Sequence, residues 1–269
     1  MSKPSFIAKT VFVLSLFLLV TSCAKSPTGR NQFKFYGAAQ MDEMGRQAFD
    51  SIKKESKTLP NSRESKYVNC VARHITPQVP KHVFSGEWEV VVFDDEQINA
   101  FALPGGKIGV YTGLLNVATT QDQLAAVIGH EVGHVIAEHG NERMSSGTLI
   151  NLGMQVTSQI LDTQQVGSSK EIMSAIGVGL QVGVQLPFSR THETEADLIG
   201  LDLMAKAGFN PQASVTLWQN MEKASGGNAP LEFLSTHPAP TTRIEQLKAN
   251  MKPALQHYNS TRNRPQCTL

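Results

Sequence analysis

Residues 120–137, TQDQLAAVIGHEVGHVIA, constrain this chain more than any other stretch. Thr120-x-x-Gln123 reads as a capping box, and Leu124, Val127, Ile128, Val132 and Val135 recur at helical spacing, so the segment is a helix. Within it stand His130, Glu131 and His134, spaced H-E-x-x-H. On a helix, positions i and i+4 share a face one turn apart, so both imidazoles can converge on one ion. Gly129 and Gly133 weaken such a helix by about 1 kcal/mol each relative to alanine, which predicts another element packed closely against them.

The chemistry follows from the residue types. Two neutral imidazoles hold Zn²⁺, the ion lowers the pKa of a bound water, and the carboxylate of Glu131 takes the proton. Such a site, with one ion per chain, suits hydrolysis of peptide bonds. It still lacks one protein ligand, commonly a carboxylate from a second helix. The segment Ser189-Arg190-Thr191-His192-Glu193-Thr194-Glu195-Ala196-Asp197 supplies one. Glu193 is the predicted ligand, and Asp197, one turn on, orients the ligands from behind. Glu195, on the opposite side of that helix, is the alternative ligand; a solvated acidic helix start is the plain alternative to both.

A chain of 269 residues, 41% hydrophobic and 17% charged, is enough for one substantial domain. Its net charge of +1, with no basic stripe or interleaved aromatics, argues against a nucleic-acid partner. Lys3 and Lys9 precede the apolar run Val11 to Val20, too short for a membrane span and suited to a secretory signal. The run ends in Val20-Thr21-Ser22-Cys23, which resembles the lipobox of bacterial lipoproteins. That resemblance implies a signal peptide over 1–22, a lipidated Cys23 with a tether over 23–37, and, with Ala24 next, a Gram-negative outer-membrane lipoprotein facing the periplasm. In that oxidising compartment Cys70 and Cys267 are expected to pair, although their spacing establishes no proximity.

Helices are expected over 38–56 and 63–75, the second ending before Pro77. Strands are expected over 88–93, 98–103 and 107–112, the last two forming a hairpin around Pro104-Gly105-Gly106. Residues 145–187 read as two weakly polar helices that cover the core, or alternatively dip into a membrane beside the site. Asn210-Pro211 is expected to open a helix and Thr242-x-x-Glu245 to cap a final one, leaving an irregular tail over 258–269.

His130-Glu131-x-x-His134, then Ser189-Arg190-x-x-Glu193-x-x-Ala196-Asp197, then His237-Pro238 with Arg243 downstream, together resemble the CAAX-prenyl-protease-type zinc metallopeptidases. The family includes HtpX-like membrane proteases, and the resemblance is nearest to its periplasmic BepA-like and LoiP-like lipoproteins. It implies an α+β, zincin-like (gluzincin) domain over 38–257, mostly helical with a small sheet before the active-site helix. It also implies a zinc endopeptidase that cleaves misfolded or misassembled envelope proteins, tied to the membrane through its lipid. The rival readings are a lipoprotein chaperone with a latent zinc site and a zinc hydrolase of cell-wall peptides. The resemblance places His237 beside the metal, either as donor to the developing oxyanion or as a fourth ligand that latches the site, with a helix-capping loop histidine as the plain alternative. Arg243 is an oxyanion or substrate contact, or an ordinary salt bridge. Neither the substrate sequence nor the oligomeric state is legible.

Overall fold

The computed structural model describes residues 23–150, 189–224, 232–237 and 241–269. The signal segment and most of 145–187 lie outside these residues. The described residues open with a small antiparallel hairpin, β1 (Cys23–Lys25) and β2 (Asn31–Phe33), followed by α1 (Ala38–Glu55) and α2 (Arg63–Ile75). Next come β3 (Glu89–Phe93), β4 (Ala100–Leu103), β5 (Lys107–Tyr111) and the central helix α3 (Gln121–Ile136). A further helix, α4, is described over 139–150. After it come α5 (Arg190–Lys206), α6 (Ala213–Ala224), α7 (Glu232–Thr236), α8 (Thr241–Ala249) and α9 (Met251–Ser260). This is the α+β, mostly helical arrangement expected, with its sheet ahead of the central helix.

Local chemistry sets the element ends. The Ser62 hydroxyl accepts from the Ser65 N–H to start α2, and Thr120 accepts from the Gln123 N–H to start α3. The reciprocal half of the predicted box is shifted by one, since Gln123 Oε1 accepts from the Thr119 N–H. In the three-stranded sheet β5 is central, parallel to β3 and antiparallel to β4. The β4–β5 turn places Gly105 at φ +80° and Gly106 at φ +71°, a region that favours glycine.

Helix α3 is apolar nearly all round and buried accordingly: Leu124, Val127, Ile128 and Val132 are fully shielded. Burial of such side chains contributes about 1.5–3 kcal/mol each. It packs on α2, β4 and α6, and most extensively on α5. The glycines explain that crossing. A Cβ on Gly129 would stand 2.9 Å from the Gly200 carbonyl oxygen, and one on Gly200 would stand 2.7 Å from the His130 nitrogen. Only missing side chains let the two backbones touch.

Three expectations are corrected. The tether over 23–37 is a hairpin docked on the domain, because Arg30, Gln32 and Thr28 bring hydrogen bonds to acidic groups beneath it. Helix α6 starts at Ala213 rather than Asn210, since the Ala213 N–H closes a tight turn on the Asn210 carbonyl first. Helix α9 runs to Ser260, into the stretch expected to be irregular. Its Pro253 falls in the first turn, where a missing N–H costs no helical bond. Beyond it the tail is held: Cys267 is bonded to Cys70 with Cα atoms 5.7 Å apart, and Gln121 bonds both Pro265 and Cys267 through the backbone. No helix among the described residues is long and apolar enough to cross a membrane.

Candidate metal centre

His130 and His134 leave one face of α3, Glu193 comes from the first turn of α5, and His237 follows α7 directly. All four are buried, and one donor atom of each lies within 4.8 Å of the others. His130 Nε2 is 3.1 Å from His134 Nε2 and 3.3 Å from His237 Nδ1. Glu193 Oε1 is 3.1 Å from His237 Nδ1 and 3.4 Å from His134 Nε2. Donors about 2.0–2.1 Å from a tetrahedral ion stand roughly 3.3 Å apart, so the spacing fits one small cation. Nitrogen lone pairs gathered this closely repel unless a cation stands among them.

The charge balance agrees. Glu131, Glu193, Asp197 and Arg243 are all buried at the site. Counted with the imidazoles neutral, as ligands of an ion must be, three carboxylates against one guanidinium leave an excess negative charge that a divalent ion offsets. Burial pushes the Glu131 carboxyl up and holds the His134 imidazole well below its usual range. Burial also works against charge at His130, but Asp197 and Glu193 carry it up to about 9. For Glu193 burial is likewise opposed, and outweighed, by the three imidazoles, which hold the carboxyl far below the usual carboxylate range.

Glu131 is 3% exposed, and its Oε1 has no hydrogen-bond partner among the described residues. It lies 3.6 Å from His237 Nε2. That leaves a buried acceptor beside the donor cluster, as a proton-abstracting carboxylate requires.

Behind the ligands, Asp197 Oδ1 accepts from His130 Nδ1 at 2.9 Å. Arg243 clasps Asp197 through Nε at 2.6 Å and Nη2 at 2.7 Å, and its Nη1 stands 2.7 Å from Glu193 Oε2. The guanidinium carbon lies 3.8 Å from the Trp218 ring centroid. Of the two readings of Arg243, the structure shows the salt bridge: Nε and Nη2 pair with Asp197 and Nη1 with Glu193. Glu195 is not a ligand, because Thr28 Oγ1 at 2.6 Å, Arg30 and His139 hold it on the far side of α5. Cys70 and Cys267 approach His74, but their sulfurs are used in the disulfide.

His139 escaped the sequence reading. Its Nδ1 is 2.9 Å from His134 Nδ1. Its place, five residues beyond His134, has no helical logic, because α3 ends at Ile136 and Glu138 turns the chain at φ +53°.

Two imidazoles from one helix, a carboxylate from a second and a glutamate next to the first histidine define a zincin-like metallopeptidase site on an α+β frame. The chain belongs to peptidase family M48, whose model matches residues 62–251. It is 40% identical over 164 residues to the mitochondrial metalloendopeptidase OMA1 of Schizosaccharomyces pombe, covering 60% of this chain and 46% of that protein. To the mitochondrial metalloendopeptidase OMA1 of Homo sapiens it is 32% identical over 239 residues, covering 85% of this chain and 45% of that one. The β-barrel assembly-enhancing protease of Escherichia coli is 27% identical over 190 residues, 67% of this chain and 37% of that protein. The chain thus spans about half or less of the length of these relatives.

These comparisons overturn the expected setting. The matches at higher identity are named mitochondrial proteins, and the likeness to the β-barrel assembly-enhancing protease of Escherichia coli is the weaker one. The periplasm-facing outer-membrane placement, with envelope proteins as substrates, rested on a few residues around Cys23 and on branch resemblance.

Proposed function

We propose that this protein is a zinc-dependent endopeptidase in which His130, His134 and Glu193 hold the ion and Glu131 is the general base. The single observation that carries this is the convergence of the four buried donors within 4.8 Å, with the Glu131 carboxylate beside them. A zinc ion bound there supplies the Lewis acidity that makes a water nucleophilic near neutral pH. Glu131 accepts the proton of the attacking water at its unpartnered Oε1 and passes it to the leaving amine. Asp197 fixes the His130 tautomer, keeping Nδ1 protonated and Nε2 directed at the cluster. Arg243 keeps Asp197 and Glu193 charged.

The substrate is an extended, unfolded polypeptide segment. Strand β4 lies at the edge of its sheet and packs against α3, so a chain added there by backbone hydrogen bonds runs beside the site. Of the two roles open to His237, the geometry supports the latch. Its Nδ1 stands among the other donors and completes a set of four, and a complete set leaves no place for water. His237 must withdraw for the reaction to proceed.

Metal analysis joined to digestion of an unfolded casein tests this reading. Wild type is expected to carry one zinc per chain and to digest; Glu131→Gln is expected to carry the same zinc and not digest. A wild type without zinc, or a Glu131→Gln variant that still cleaves, would overturn the assignment.

A further inference from the structure

His130 and His134 are not supported in the same way. His130 is oriented directly by a carboxylate, Asp197. His134 is oriented by another imidazole, and the support for that imidazole comes from the opposite end of the chain. With His134 Nε2 turned to the donor cluster, its Nδ1 carries the proton and donates to His139 Nδ1 at 2.9 Å. His139 must then be protonated at Nε2, which donates to Glu195 Oε2 at 3.1 Å. Each atom has one role, and the whole relay is buried: His139 is 0% exposed and Glu195 3%.

Glu195 is fixed by the loop of the N-terminal hairpin. Its Oε1 accepts from the Thr28 hydroxyl at 2.6 Å and from the Thr28 backbone N–H at 3.3 Å. Its Oε2 accepts from Arg30 Nε at 3.2 Å and Nη2 at 3.1 Å. The same guanidinium holds Glu142 on α4 in a two-point pair, at 2.7 and 2.8 Å. Glu142 Oε2 also lies 3.2 Å from His192 Nε2, and the His192 ring stacks on His139 with centroids 4.3 Å apart. One arginine therefore ties the hairpin loop, α4 and α5 around the imidazole that backs His134.

We propose that the N-terminal hairpin is a positioning element of the metal centre, in which Thr28 and Arg30 fix Glu195, Glu195 fixes the tautomer and rotation of His139, and His139 fixes His134. The inference rests on the reading of His134 as a metal ligand. It adds Arg30, Glu195 and His139 as positioning residues and makes the chain ahead of the domain part of the site. A carboxylate–histidine pair behind a ligand raises its basicity and removes its rotational freedom, and loss of such support commonly weakens metal binding about 10- to 100-fold. Arginine suits the joint because its planar fork serves two carboxylates at once, which a lysine ammonium does not.

The test is zinc affinity by chelator competition and the visible spectrum of the cobalt-substituted protein, for wild type, Arg30→Ala, Arg30→Lys, Glu195→Gln and the milder Thr28→Val. Lys25→Ala, an exposed site on β1, is the control. Arg30→Ala and Glu195→Gln are expected to weaken zinc about tenfold or more and to shift the cobalt bands. Thr28→Val should show a smaller loss in the same direction, Arg30→Lys only partial recovery, and Lys25→Ala wild-type behaviour. Wild-type affinity and spectrum in both Arg30→Ala and Glu195→Gln would overturn the inference, as would an equal loss in Lys25→Ala. A wild type that binds no zinc would overturn the reading of the site itself, a result distinct from one in which only the variants matter.

Discussion

A Cβ on Gly133 would stand 2.7 Å from the carbonyl oxygen of Ala196. The contact is backbone to side chain and cannot be relieved by a rotamer change. It sets how near α3, with His130 and His134, comes to α5, with Glu193. Alanine gains about 1 kcal/mol of helix propensity over glycine, whereas forcing extra volume into a packed contact costs about 1–3 kcal/mol. Gly133→Ala is therefore expected to lower the stability by about 0–2 kcal/mol and to reduce bound zinc by parting the two helices. Unchanged metal content after chelator challenge would show that the crossing does not control the site.

Arg243 is 1% exposed and pairs with Asp197 and Glu193 together. Its removal strands buried carboxylates, a defect that commonly costs about 3–5 kcal/mol. Arg243→Ala should show a large fall in the denaturation midpoint, and Arg243→Lys should recover little, since a single ammonium cannot reproduce the two-point pairing with Asp197. A surface-like loss under about 0.5 kcal/mol would contradict the buried network.

For His237, the latch predicts that His237→Ala retains zinc on three ligands and digests unfolded casein faster than wild type, with self-cleavage visible on storage. A fall of about 10²-fold in kcat would instead assign it to the oxyanion. Unchanged activity and unchanged storage life would leave it a structural histidine.

Burial opposes the charge of Glu195, but hydrogen bonds from Ser26, Thr28, His139 and Arg30 outweigh it and hold the carboxyl down to about 2. The unfolded carboxyl titrates near about 4.3, so the charged form favours the folded chain above that pH. The contribution is complete above about pH 5. It is lost as the pH falls toward the folded value. The stability gap between wild type and Glu195→Gln, measured with chelator present throughout, should therefore close over that window. A gap that is constant from pH 6 to pH 3 would count against a charged Glu195 in the folded chain.

The sequence by itself determined what lies within one element or one turn of it. The periodic residues of α3 and Thr120 gave the helix, and the helix gave His130 and His134 a common face. The same spacing put Glu193 at the donor cluster and Asp197 behind His130 on α5, and alternation with turn glycines gave the β4–β5 hairpin. Spacing encodes geometry there because the dihedral angles repeat. Where they stop repeating, it encodes nothing. Glu138 at φ +53° swings His139 behind His134, so the imidazole that orients a ligand looked like a stray residue after the motif. The disulfide joins residues 197 apart in sequence. Arg30 meets Glu195 across a separation of 165, turning an apparent tether into part of the site. Such pairings are fixed by which buried charges need partners once the helices have packed, and only the tertiary structure decides that.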